Sequence, residues 1–189
     1  MEQVTSFICL GRVSMLIRSE ILDTLAASHA QVMAYFQGLS AEALERPCTA
    51  SGVPGEPAWR AKNHFAHLAQ NERNIQQVLR STLTGVTSLP GNLGAMSPEE
   101  RLAMANRRNQ SYVTAHRDDT METLIADLAA ARQETLDLLD QFTDEQLAAP
   151  LSLSTLADRT AGDLFVANAQ HATAHIRWIE EGFRQGLSS

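Results

Sequence analysis

The sequence predicts an all-α fold: a four-helix bundle with one long crossover between helices two and three, carrying a short extra helix. Three observations support it. Leu and Ala dominate an apolar fraction of 44%, while Val and Ile are sparse, which favours helix over strand. Four long segments repeat their apolar residues at the helical period. The stretch 84–119, between the second and third of these, is long enough to lead the chain back along the bundle, and the other two connections need not do so. A chain of 189 residues suits one well-packed domain.

The first helix is expected from about Leu16 to Leu39, with Ile21, Leu25, Val32, Phe36 and Leu39 on one stripe. A loop containing Pro47, Gly52, Pro54 and Gly55 follows. Pro57 suits the first turn of the second helix, which runs through WRAKNHFAHLAQNERNIQQVLRSTL to about Leu83, where Gly85 can end it. In the crossover, Ser97 as N-cap, Pro98 at the first helical position and Glu100 three residues after the cap start the short extra helix. The third helix is TMETLIADLAAARQETLDLLDQF, residues 120–142, with Leu124, Leu128, Thr135, Leu138 and Phe142 facing one way. Thr160, with Asp163 three residues on, caps a fourth helix that continues to about Arg184. LSAEALERP at 39–47 and FTDEQLAAP at 142–150 echo each other, and each precedes a helix bearing paired histidines.

The remaining features narrow the class of protein. A net charge of −7, with Arg107-Arg108 the sole basic doublet, argues against a nucleic-acid or anionic-membrane surface. No apolar run approaches the roughly 18 residues of a membrane span. Residues 1–14, MEQVTSFICLGRVS, lack the basic start and cleavage site of a signal peptide and read as a disordered tail or upstream start, leaving 15–189 as the bundle. Cys9 and Cys48 are the only cysteines, so a disulfide framework is not expected and a cytoplasmic setting is.

The chemistry lies in the histidines. In ANAQHATAHIRWIEEGF, residues 167–183, His171, His175 and Asn168 fall inside the apolar arc formed by Leu164, Phe165, Ala172, Ile176, Trp178, Ile179 and Phe183. On the second helix, His64, His67 and Asn71 edge a face made by Phe65, Leu68, Ile75, Val78 and Leu79. An unpartnered buried imidazole or amide costs about 1–3 kcal/mol, so these residues call for a shared explanation. Histidines four apart on one helix can ligate one ion, and an imidazole from a second helix would complete a three-histidine site with an open position. Core histidines bonded to carbonyls are the competing explanation, and pattern alone leaves the two open. His29, on the stripe near Leu25, Val32 and Phe36, is either a core histidine or a pocket residue. His116, among Arg117, Asp118 and Asp119, reads as solvated, and Trp59 and Trp178 as packing residues near the bundle mouth.

WRAKNHFAH, Trp59 to His67, resembles the helix-two signature of the DinB/YfiT-like superfamily, and HATAHIRWI, beginning at His171, is similar to its last-helix H-x-x-x-H. The likeness extends from about Met15 to Arg184. That superfamily comprises metal-dependent enzymes related to thiol-dependent S-transferases and to the metal-binding domain of mycothiol-dependent maleylpyruvate isomerase. The resemblance implies His67, His171 and His175 as ligands of a divalent ion, zinc or nickel. His64 stands where the family usually has an apolar or other residue, which suggests that it supports a ligand or faces substrate, as Asn71, Asn168 and His29 are also candidates to do. Ile176-Arg177 replaces the Gly-Gln of many members, so the substrate pocket should differ there. No protein nucleophile is evident, which leaves water or a small thiol such as mycothiol or bacillithiol. The expected activity is transfer or isomerisation of a small-molecule substrate; the alternatives are metal-assisted hydrolysis and a non-catalytic binding bundle. Family members often pair, so a homodimer is expected.

Overall fold

The computed structural model describes residues 17–86, 96–151, 156 and 158–186. In chain order they form α1 (Arg18–Gln37), α2 (Ala41–Glu45), β1 (Pro47–Thr49), β2 (Trp59–Arg60), α3 (Ala61–Leu83), α4 (Pro98–Ala115), α5 (Met121–Leu139), α6 (Asp144–Ala148) and α7 (Ala161–Gln185). The expected tail 1–14, Cys9 and Leu16 lie outside the described residues.

Helices begin where side chains accept their free N–H groups. Asn63 Oδ1 accepts from the Arg60 amide at 2.9 Å at the head of α3. At α7, Thr160 Oγ1 accepts from the Asp163 amide at 3.0 Å, and Asp163 returns the bond to the Thr160 amide at 2.8 Å. The same reciprocal pair joins Ser97 and Glu100 at α4. Gly85 and Gly186, both at positive φ, lie just past α3 and α7, a conformation that favours glycine.

Helices α1, α3, α5 and α7 make the bundle: α1 packs on α7, and α3 packs on both α5 and α7. Three boundaries differ from expectation. Pro57 does not open the second long helix, because Trp59 and Arg60 are extended and pair antiparallel with Thr49 and Pro47, so α3 starts at Ala61. The third long helix stops at Leu139, where the Arg18 guanidinium takes the Leu139 carbonyl at 2.8 Å and the Phe142 carbonyl beyond it. The crossover helix is not short: α4 has 18 residues, secured by Arg73 on the α3 side and by Tyr112 of α4, which both bond Asp127 of α5.

The sequence echo corresponds to a repeated local structure. Ser40 and Thr143 cap the five-residue helices α2 and α6, and the prolines that follow pair with the N-cap residues of the two histidine-bearing helices, Pro47 with Arg60 and Pro150 with Thr160. Ribbon strand β1 also lies hard against α7. A Cβ on Gly182 would overlap the Cys48 carbonyl, so only glycine permits this approach.

The apolar interior is divided. One cluster gathers Val32, Phe36, Phe65, Leu68, Leu124, Leu128, Ile176 and Ile179; the other gathers Ile21, Leu25, Leu79, Leu138, Phe142, Leu147 and Phe165. Between them in sequence, on all four helices, come buried polar residues: Ser28, Glu72, Arg132, Thr135 and Asn168. Among the described residues no helix is long and apolar enough to cross a membrane.

Candidate metal centre

Four imidazoles meet between α3 and α7. His67 contributes from α3, and His171 and His175, one turn apart, from α7. His171 Nε2 is 3.3 Å from His67 Nε2 and 2.9 Å from His175 Nε2, and a ligand nitrogen from each of the three lies within 4.8 Å of the others. His67 and His175 are buried at 4% and 3% exposure, and His171 is half-buried.

The spacing fits a shared cation better than hydrogen bonding alone. The single in-plane position on His171 Nε2 carries either one hydrogen or one lone pair, so it cannot bond two facing nitrogens equally well. Nitrogens each about 2.1 Å from one ion stand roughly 3.0 Å apart at a right angle and roughly 3.4 Å apart at the tetrahedral angle. The two separations, 2.9 and 3.3 Å, lie close to those values. Protonation is suppressed: burial first, then the neighbouring imidazoles, pushes His64 and His171 down to about 3 and His175 well below the ordinary histidine value, and burial lowers His67. Neutral rings with available lone pairs are the form that binds metal.

Other residues hold the rings in place. His67 Nδ1 lies 3.0 Å from Gln70 Oε1, so an Nδ1–H donated there leaves Nε2 free toward the other rings. His64 is 2% exposed and sits behind His175, their Nδ1 atoms 2.6 Å apart, while its Nε2 is 2.8 Å from Thr49 Oγ1. Trp59 stands edge-on to His64 and tilted against His67, Trp178 packs on His175 and His171, and Trp59 Nε1 donates to Gln110 of α4 at 2.8 Å. Both tryptophans therefore wall the centre directly.

Asn71 and Asn168 belong to a second network. Asn71 Nδ2 donates to Asn168 Oδ1 at 2.9 Å, and Asn168 Nδ2 donates to Glu72 Oε2 at 2.7 Å. That oxygen also accepts from Thr135 Oγ1 at 2.5 Å, and Glu72 Oε1 pairs with Arg132 at 2.5 Å. Arg132 in turn donates to the Leu25 carbonyl of α1. His29 lies beside this layer, its Nδ1 without a hydrogen-bond partner among the described residues and its pKa lowered by burial and then by Arg132. His116 is half-exposed, bonded to Asp119 and stacked against Tyr112.

Cys48 is buried, its thiol donating to the Trp59 carbonyl at 3.4 Å, and burial pushes its pKa up to about 12, so it offers no thiolate at neutral pH. Thr49, Gln70, Glu72 and Arg132 were not singled out from the sequence. Gln70 follows His67 by one helical turn and Arg132 interrupts an alanine-rich stripe, so both left a signal; Thr49 sits in a Pro/Gly-rich loop and left none.

A model of the DinB superfamily matches residues 53–179, which include both histidine helices up to Ile179. The chain belongs to the DinB superfamily. A crystal structure of an uncharacterised protein from Escherichia coli UTI89 is similar in fold, with a TM-score of 0.64 over 92% of this chain and 96% of that chain at 16% identity. No curated protein matches the chain. Superfamily membership and the three-histidine cluster together make this a centre that can hold a metal ion.

Proposed function

We propose that this DinB superfamily protein is a metal-dependent enzyme whose nucleophile comes from outside the chain, with a low-molecular-weight thiol as the first candidate and transfer or isomerisation as the reaction. The observation that carries the proposal is the convergence of the His67, His171 and His175 nitrogens, two of the three separations being close to those of ligands on one ion. The high pKa of the Cys48 thiol supports an external nucleophile. A zinc or nickel ion bound by the three imidazoles would supply Lewis acidity and bring a thiol or water to its anionic form near neutral pH. His67 and His175 would exclude water from one side of the site, and Trp59 and Trp178 would give a substrate apolar walls. A cytoplasmic, homodimeric enzyme acting on a small molecule is the form we propose.

Untagged protein should carry close to one zinc or nickel per chain by elemental analysis, and His67→Ala with His171→Ala should abolish it. Wild-type protein that stays metal-free in excess ion overturns the proposal. Assays of mycothiol, bacillithiol, glutathione and water against simple electrophiles then separate transferase from hydrolase. A metal-loaded protein inert with all of them would be a binding bundle.

A further inference from the structure

His64 is not a fourth ligand in this geometry. It meets His175 through Nδ1, on the other side of the His175 ring from the Nε2 that faces His171, and its own Nε2 is bonded to Thr49. The contacts form one line: His171, His175, His64, Thr49. Each end of that line is fixed by the fold. Thr49 is held by its pairing with Trp59 and by the close seat of β1 on Gly182, and His171, like His175 one turn on, by its place on α7.

A hydrogen bond across the 2.6 Å gap between the two Nδ1 atoms requires one hydrogen, and which ring carries it sets what a neutral His175 bears on Nε2. If His64 donates, His175 bears its hydrogen on Nε2, aimed at His171, and cannot ligate. If His175 donates, its Nε2 lone pair faces the centre, and His64 passes its own Nε2–H to Thr49 Oγ1. A threonine hydroxyl accepts as readily as it donates, so it can terminate the second arrangement.

We propose that Thr49 and His64 are positioning residues that hold His175 in its ligating tautomer, with Nδ1–H donated to His64 Nδ1 and the Nε2 lone pair presented to zinc. This rests on the metal-dependent function proposed above and extends it to two residues behind the centre. A metal-ligating histidine whose remaining N–H meets a defined acceptor binds more tightly, and loss of such an acceptor costs about 10- to 100-fold in affinity. Here the acceptor is an imidazole, carried by the same helix as His67.

The test uses the full-length chain, with and without zinc. Nitrogen-15 NMR should detect a scalar coupling across the hydrogen bond between His64 Nδ1 and His175 Nδ1, and zinc-loaded protein should show the proton on His175 Nδ1. His64→Phe preserves the ring against Trp59 and should weaken zinc binding roughly 10- to 100-fold while shifting the visible spectrum of the cobalt-substituted protein. Thr49→Val, nearly isosteric, should weaken zinc several-fold, and Thr49→Ser should restore it; this pair decides the matter should His64→Phe not fold. Absence of the coupling, or unchanged zinc affinity in these variants, overturns the proposal. A wild-type chain that takes up no zinc removes the metal-dependent reading and this proposal with it, an outcome distinct from wild type binding zinc and the variants binding equally well.

Discussion

The interior of the bundle holds two polar regions that share α3 and α7, one of them reaching α5 through Arg132 and Thr135 as well, and they are built in opposite ways. The Glu72 layer is charged and pairs its carboxylate internally: both carboxylate oxygens have partners, Arg132 supplies the counter-charge with only its Nε unbonded among the described residues, and Asn168 extends the network to Asn71. The histidine cluster is neutral and open, with three nitrogens pointing at each other and one hydrogen-bonding position on His171 facing two neighbours. Buried polar groups normally find partners within the protein. A group that does so is architecture, whereas a group whose nitrogens crowd a common point can receive something the chain does not supply.

Removing one partner from each region should give unequal results. Glu72→Leu leaves the Arg132 guanidinium buried and uncompensated and should cost roughly 3–5 kcal/mol in urea unfolding, most of it recovered by adding Arg132→Met. His67→Leu removes a neutral ring from a crowded cluster and, in metal-free protein, should change stability by no more than about 1 kcal/mol. Equal losses for the two would mean that the cluster, too, is a closed network, and the comparison would collapse.

Zinc sharpens the contrast from the other direction. With free zinc at about 100 times its dissociation constant, the folded state should gain about 2.7 kcal/mol, read as a higher unfolding midpoint. His171→Ala should lose that gain, and Glu72→Gln should keep it. A zinc effect that survives His171→Ala would place binding elsewhere on the chain.

Gly182→Ala perturbs only one of the two regions. The new methyl group collides with the Cys48 backbone, which must move, and overpacking of this kind costs about 1–3 kcal/mol. Because Thr49 follows Cys48 on β1, the variant should also bind zinc less well, while the Glu72 layer, on the far side of His171 along α7, should be untouched. Thr160→Ala is the control: loss of the α7 cap should cost about 1 kcal/mol without a selective effect on zinc.

Why one region was legible in the sequence and the other was not follows from their chemistry. Periodicity located the four bundle helices and the apolar arc holding His171 and His175, because burial of an amphipathic face is a local, repeating signal. Capping chemistry placed the start of α7 at Thr160 and of α4 at Ser97. The start of α3 was misplaced because the pairing of Trp59 with Thr49 is a contact between segments that no local rule reports. Asn71 and Asn168 were visible as polar residues on an apolar face, but their partners were not, since Glu72 reads from sequence as one more surface carboxylate and Arg132 comes from another helix. Thr49 depends wholly on how β1 is seated, so its link to His64 emerges only in three dimensions.

The smallest predicted effect separates the regions by pH. His29 flanks the charged layer, its pKa lowered by burial and by Arg132, which outweigh the opposing pull of Glu72. Below the ordinary histidine value of about 6.5, the unfolded chain takes up a proton that this folded ring resists. The stability linked to His29 is therefore present above that value and declines as pH falls through it toward the lowered folded-state value. His29→Gln removes this proton linkage while keeping a polar side chain, so the difference in stability between variant and wild type should be constant above about pH 7.5 and shift in favour of the variant as pH drops through 6. Urea unfolding of metal-free protein from pH 8 to 5 reads it directly, with the clustered histidines common to both proteins and cancelling in the difference. A difference independent of pH would show that His29 titrates as in the unfolded chain, and that the charged layer exerts no hold on the ring beside it.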